Sequence, residues 1–233
     1  VVFAAKTAHL YRSLSTQIFG QKFLHMHIAI AGNIGSGKTT LATQLAKHLG
    51  YEAEYEDPTN NPYISDFYND MTRWSFSLQI YFLQSRLQQT VNIQKSGRNV
   101  VQDRTLYEDA EIFAPNLLAM GLLSQRDYDT YQQLYDSVKH LVKPPDVVIY
   151  LRAGISTLVD QIANRDREYE DNIRIDYLKK LNERYEQWFA EYNLGKKLDF
   201  NVDNLNFRDS KEDLGVILTR VNGELFGLFK SAV

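Results

Sequence analysis

Residues 27–40 read HIAIAGNIGSGKTT, and the reading of this stretch decides the fold. HIAIAG is a short, β-rich apolar run with the character of a buried strand. It leads into GNIGSGKTT, Gly32 to Thr40, which matches G-x-x-x-x-G-K-[ST] at Gly32, Gly37, Lys38 and Thr39. The following TTLATQLAKHLG places Leu41, Leu45 and Leu49 on one side of a helix, with Gly50 as its stop. Strand, glycine-rich loop and helix in that order form a phosphate cradle. Backbone N–H groups of Gly32, Asn33, Ile34, Gly35, Ser36 and Gly37 wrap phosphate oxygens, and the helix start at Thr39 and Thr40 adds its positive dipole end. Lys38 reaches the outer phosphates, and the Thr39 hydroxyl is placed to ligate Mg2+. The motif implies a bound nucleoside triphosphate and leaves kinase, GTPase, motor and assembly ATPase open. The guanine-reading Asn-Lys-x-Asp is absent from the sequence, which argues against a GTPase.

Outward from the loop, short β-rich runs alternate with helical stretches. YEAEYE, NVVQDR, PDVVIYLRA and LDFNVD read as four more strands. Helices are expected between the second and third, over about 106–141, at about 155–165 and 173–194, and at about 209–230. Such alternation predicts an α/β fold, a five-stranded parallel sheet between two helix layers. No internal repeat or linker divides residues 26–233, which read as a single domain.

Composition narrows the partners. The 233 residues carry a net charge of -3, with 44% hydrophobic and 12% aromatic content, enough for a sizeable core. That balance advertises no basic face for nucleic acid. No run of 18 apolar residues suggests a membrane span, and the absence of Cys fits a reducing, cytoplasmic setting. Residues 1–25 contain Lys6, Arg12 and Lys22 but no Asp or Glu, a composition compatible with a transit peptide. Because Met26 immediately precedes the first strand, we expect these residues to be an extension outside the fold.

In open α/β sheets ligands bind beyond the carboxyl ends of the strands. Those ends carry Glu56-Asp57, Asp103-Arg104, Arg152 and Asp203. Acids and arginines converging on a phosphate loop suit phosphoryl transfer: a base for an attacking hydroxyl, a carboxylate on the magnesium side and a charge stabiliser. The acceptor is suggested by FSLQIYFLQSR, residues 76–86. Steps of three and four align Gln79, Phe82 and Arg86, while Phe76, Ile80, Leu83, Leu87 and Val91 form a separate apolar stripe expected to face the core.

Together, GNIGSGKTT, YEDPTNNPY, FYNDMTRWSFSLQIYFLQSR, QDRTLYEDAEIFA and NRDREYEDN resemble the deoxynucleoside kinase family, in its bacterial branch acting on deoxyadenosine, deoxyguanosine or deoxycytidine. The motifs fall in family order from Met26 to the last helix. The resemblance implies a nucleoside-kinase-like fold with a short arginine-bearing lid, ATP as donor and a homodimer. It implies Glu56 as general base for the sugar 5′-hydroxyl, with Arg104 holding that carboxylate and the transferring phosphoryl group. Asp103 would join Thr39 on the magnesium side, and Tyr68 and Glu170 would grip the sugar 3′-hydroxyl. Arg165 and Arg167 would be the lid arginines, and Gln79, Arg86 and Asp109 would surround the base. Two departures stand out. Asp166 replaces the glycine usual between the lid arginines, and Gln161 stands where relatives often carry a basic residue; Arg152 is a candidate substitute for the missing charge.

A Gln amide pairs bidentately with an amino group beside a ring nitrogen, an edge that adenine and cytosine both present; flipped, it serves guanine or thymine. An ionised Asp109 only accepts hydrogen bonds and so disfavours thymidine. The Tyr107–Ala114 segment most resembles deoxyadenosine-handling members, and deoxyadenosine is the expected substrate, with Phe82 and Trp74 either narrowing the pocket or merely stacking. The alternatives are a nucleoside monophosphate kinase, which needs more basic residues at the acceptor, and a non-catalytic scaffold of the same fold.

Overall fold

The computed structural model describes residues 25–55, 60–165, 167, 170 and 172–227. Five parallel strands lie in the order β2-β3-β1-β4-β5. They are β1 (His27–Gly32), β2 (Glu52–Glu54), β3 (Val100–Asp103), β4 (Val147–Arg152) and β5 (Lys196–Asn201). Helix α1 (Lys38–Leu49) joins β1 to β2, and α2 (Ile64–Asn69) and α3 (Met71–Ser96) join β2 to β3. Between β3 and β4 run α4, residues 106–119, and α5 (Gln125–Val138). Helices α6 (Ile155–Asn164) and α7 (Ile175–Glu191) precede β5, and α8 (Lys211–Phe226) follows it.

Alternation along β1 and β4 builds two cores. Ile28, Ile30, Val147, Ile149 and Leu151 face one layer with Leu41 and Leu45 of α1 and Ile217 and Val221 of α8. Ala29, Ala31, Val148 and Tyr150 face the other, with residues of α2, α3, α4, α5 and α7. Small alanines on β1 leave room for aromatic bulk on this second face, where Tyr150 and Tyr185 stack at 5.8 Å. The α/β expectation with five parallel strands is met. No helix among the described residues is long and apolar enough to cross a membrane. Residues 1–24, most of the expected extension, lie outside the described residues.

Two expectations need correction. The helical region expected over 106–141 is broken by a turn at residues 120–124, where Gly121 takes φ 69° and Ser124 caps α5 by accepting from the Asp127 N–H. In addition, α4 is not uniform: Leu106–Glu108 is α-helical, Asp109–Phe113 is a π-turn, and Ala114–Ala119 is α-helical again. On α3 the polar face lies deeper than the apolar one. Gln79 and Arg86 are buried, whereas Phe76, Ile80, Leu87 and Val91 are only half-buried. Leu83 alone of the expected core stripe is fully covered.

A polar chain crosses the sheet. The Gln102 amide nitrogen donates to Gln89, so its oxygen faces the His27 ring, and His27 Nε2 donates to it at 2.8 Å. Burial pushes the His27 imidazole pKa below its ordinary value, against the opposing pull of Gln102 and Asp146. The fold therefore holds His27 neutral while the unfolded chain protonates it, so stability is lost as pH falls through about 6.5. We expect the melting temperature to drop on acidification from about pH 7.5 to 5.5 and His27→Gln to flatten that limb. An unchanged slope in the variant would assign the acid sensitivity to other groups.

Candidate active site

Parallel pairing of β1 with β3 sets Ile30 opposite Asp103, so both chains leave the sheet side by side. β1 connects toward β2 and β3 toward β4, on opposite sides of β1 in the strand order, which makes this the topological switch point. The loop after β1 turns into α1 at Gly37, whose φ is 89°. A Cβ there would come within 2.9 Å of the Phe207 ring, so only glycine fits. No side chain caps α1 at this end, so the positive end of the helix dipole faces the loop, as an anion requires. Ser36 N–H donates to Asn33 O at 3.2 Å, and Lys38, buried, donates from Nζ to the same carbonyl at 2.9 Å. The Thr39 hydroxyl donates to Asp103 Oδ2 at 2.5 Å. Asp103 Oδ1 is buried without a hydrogen-bond partner among the described residues. A hydroxyl and a carboxylate with an unsatisfied oxygen, side by side at a phosphate cradle, suit a hard cation such as Mg2+ completing its shell with phosphates and water.

Asp103 and Thr39 open onto a cavity also lined by Lys38, Arg104, Tyr68, Gln79, Phe82 and Asp109, and by Arg165, Arg167 and Glu170. Every member of the expected acceptor set except Glu56 and Arg86 therefore lines one space, and Arg86 is reached through Asp109. Arg86 Nε donates to Asp109 in an ion pair buried from solvent. The Arg86 guanidinium also lies 5.2 Å from the centre of the Phe82 ring. Asp109 opens the π-turn of α4, a local widening frequently found at functional sites. Gln79 is 2% exposed and its Oε1 has no partner among the described residues, a buried acceptor facing a ligand space. Glu56 lies outside the described residues. Trp74 does not line the cavity among the described residues; it packs on Tyr63 at 5.8 Å and under Arg73.

At the other end, Glu170 accepts from Arg165 Nε at 2.6 Å and Nη2 at 2.5 Å, with Arg167 at 3.6 Å. Tyr68 is close enough to Glu170, Arg104 and Arg165 to feel their charges, though burial is the main reason its phenol pKa is pushed far up. Tyr68 thus stays a neutral donor at any ordinary pH. Arg152 is not a spare cation: Glu186 takes its Nε at 2.8 Å and Asp199 its Nη1 at 2.9 Å. Asp203 is also engaged, accepting from the Gly154 N–H and the Thr157 hydroxyl at the start of α6, and it lies beside the phosphate loop rather than in the cavity of Asp103 and Lys38.

Arg104 has φ 67°, a left-handed conformation that costs a non-glycine residue about 1–3 kcal/mol. It is held there by its N–H on Ile30 O at 3.0 Å, by Glu108 at 3.8 Å and by the Phe113 ring at 4.6 Å. Glu108 was not among the expected site residues. Fully buried, it accepts from the Thr105 N–H at 2.8 Å and the Tyr185 hydroxyl at 2.9 Å, and burial raises its carboxyl pKa against the lowering pull of Arg104. The signal was present as Thr105-x-x-Glu108, a capping box opening α4. Tyr177 and Phe113 also line the cavity and had no sequence signal beyond aromaticity. A second cavity, about 410 Å3, opens beside the phosphate loop between Thr40, Gln161 and residues 202–208. Gln161 thus faces the donor side of the loop.

A phosphate cradle at the switch point, next to a pocket with a Gln and a buried Arg–Asp pair, defines a P-loop α/β protein suited to hold a nucleotide and a second small ligand together. The chain belongs to the deoxynucleoside kinase family, whose profile matches residues 28–225. It is 35% identical over 198 residues to the deoxyadenosine/deoxycytidine kinase of Bacillus subtilis, covering 83% of this chain and 90% of that one. It is 41% identical over 165 residues to the deoxyadenosine kinase of Dictyostelium discoideum, covering 71% and 67%. Among solved structures, deoxyadenosine kinase from M. mycoides, with dCMP and dCDP bound, superposes with a TM-score of 0.76 at 34% identity, covering 85% of this chain and 100% of that one.

The buried pair makes a stability prediction. Removing one partner leaves an uncompensated buried charge, so Arg86→Met should cost about 3–5 kcal/mol in urea unfolding. Gln79→Leu, which removes an amide whose oxygen has no partner, should cost far less. Equal losses would mean that the Arg86–Asp109 pair is not what holds this wall.

Proposed function

We propose that the protein transfers the γ-phosphoryl group of ATP to the 5′-hydroxyl of a deoxynucleoside, with deoxyadenosine preferred over deoxycytidine and deoxyguanosine. The observation that carries this is Gln79, buried with an unsatisfied amide oxygen beside the Arg86–Asp109 pair, in one cavity with Lys38, Thr39 and Arg104. Gln79 meets the amino and ring-nitrogen edge of the base. Asp109, fixed by Arg86, accepts from an exocyclic amino group and repels a carbonyl. Because Arg86 is committed to Asp109 and its neighbours on this face are Gln79 and Phe82, the acceptor end suits a neutral base better than a second phosphate. That disfavours a monophosphate kinase.

Glu56 removes the proton from the 5′-oxygen as that oxygen attacks the γ-phosphorus and the bond to the β-bridging oxygen breaks. Arg104, Lys38, Arg165 and Arg167 face the charge that develops on the equatorial oxygens. Tyr68 and Glu170 hold the 3′-hydroxyl, the phenol donating and the carboxylate accepting. Thr39 and Asp103 would hold Mg2+, which when bound would supply positive charge to neutralise the donor phosphates. Phe76, Ile80, Leu87 and Val91 pack against the aromatic core with part of each left exposed, and that remaining apolar surface of α3 is the face we assign to a homodimer.

Incubating the protein with ATP, Mg2+ and each of the four deoxynucleosides tests the activity. Monophosphate should form fastest from deoxyadenosine and slowest from thymidine, and its absence with all four would end the kinase reading. Glu56→Gln should lower kcat about 100-fold or more while leaving nucleoside binding intact; a matching loss of binding would make Glu56 structural. Val91→Glu should shift the protein to a monomer in light scattering, and an unchanged mass would place the contact elsewhere.

A further inference from the structure

The second residue of the phosphate motif is an x position, where the motif leaves the side chain unspecified, yet Asn33 is 1% exposed and its side-chain oxygen and nitrogen are both engaged. Its Oδ1 accepts the N–H of the next residue, Ile34, at 2.8 Å, a contact that shapes the first turn of the loop and takes up one of the N–H groups expected to face phosphate. Its Nδ2 leaves the loop altogether and donates to two groups on α7, the Leu178 carbonyl at 3.0 Å and Asn182 Oδ1 at 3.2 Å. Asn182 in turn donates from Nδ2 to the Ala153 carbonyl at 3.0 Å, at the end of β4. The two amides thus form a relay from the loop, through α7, to the strand on the far side of β1. The loop end of that relay is also where Lys38 rests, since Lys38 Nζ and the Ser36 N–H share the Asn33 carbonyl.

We propose that Asn182 is a positioning residue for the phosphate donor: through Asn33 it fixes the first turn of the loop and the carbonyl on which Lys38 waits. Asn182 half-faces solvent on α7 and does not line the nucleoside cavity among the described residues. Donor affinity therefore depends on a residue of α7 that acceptor affinity does not need. A lone buried amide in the loop would turn with Ile34 alone; the pair pins it at both ends, so the loop reaches ATP already shaped. The inference rests on the reading of residues 32–40 as the ATP site.

Equilibrium titration of the full-length protein with MgATP, without nucleoside, separates the two claims. Lys38→Ala and the wild type establish whether the loop binds ATP at all; no binding by the wild type would defeat the ATP reading itself. Given binding, Asn182→Ala should weaken MgATP by about 5- to 10-fold, the effect expected from losing one or two neutral hydrogen bonds. Deoxynucleoside Kd should stay within about 2-fold, a difference well under one hydrogen bond. Asn33→Ala should weaken MgATP similarly, and the double variant should be no worse than the worse single one, because both act on the same contact. Unchanged MgATP affinity, additive losses, or equal loss of ATP and nucleoside binding would each overturn the proposal. Asn182→Ser, which removes less volume, serves as the test variant if Asn182→Ala does not fold, with the same outcomes.

Discussion

The hydrogen bond from Thr39 to Asp103 joins the first turn of α1 to the end of β3, and the rest of the site is arranged around it. It exists because β1 and β3 are parallel neighbours in register, Ile30 against Asp103, so the loop after one strand and the acid ending the other leave the sheet together. Everything that needs a phosphate on one side and an acceptor on the other is then forced to this point. The residue after Asp103 pays for the arrangement with a left-handed backbone at Arg104. Its N–H returns to Ile30, its guanidinium turns inward over Phe113, and Glu108 locks it from below.

The second constraint is charge without water. Arg86, Asp109, Arg104, Glu108 and Glu170 are all nearly excluded from solvent, and ions at such positions persist only when partnered. The helices on this face of the sheet supply the partners: α3 brings Arg86, the π-turn of α4 brings Asp109 and Phe113, and the helical turn before it brings Glu108. Asp109 and Glu108, adjacent in sequence, serve two different arginines, because neighbouring residues on a helix point about 100° apart.

The fold was legible because its signals are local and periodic: the apolar run His27–Gly32, the glycines to Gly37 and the leucines of α1 specify strand, loop and helix without any tertiary knowledge. The main acceptor residues were visible as a helix face and as a family pattern, and Gln79, Tyr68, Asp109, Arg104 and Glu170 do meet in one cavity. What was not legible is depth. The spacing of α3 shows two faces but not which is deeper, and hydropathy alone pointed to the apolar one. The polar face is buried instead because α4 and α5 pack over α3, with Asp109 of α4 pairing Arg86 and Gln79 left with an acceptor open to the cavity. Arg152 and Asp203 misled for a related reason: a strand end predicts proximity to the ligand, not freedom, and Glu186, Asp199 and the start of α6 had already taken them. Glu108 was hidden as a helix cap, and its second role depends on Tyr185, 77 residues away.

Glu170 connects the two halves of the proposed reaction. Its carboxylate has two oxygens, and Arg165 takes both while Arg167 stands at 3.6 Å. On the proposed reading the same carboxylate accepts from a sugar 3′-hydroxyl and the same arginines face phosphates. A carboxylate has about four lone-pair sites and a guanidinium five N–H donors, so the bidentate pair leaves some of each for a hydroxyl on one side and a phosphate on the other. Glu170 and Arg165 thus stay bound to each other while each takes its own ligand, which makes the pair a bridge between the sugar end and the phosphate end of the cavity.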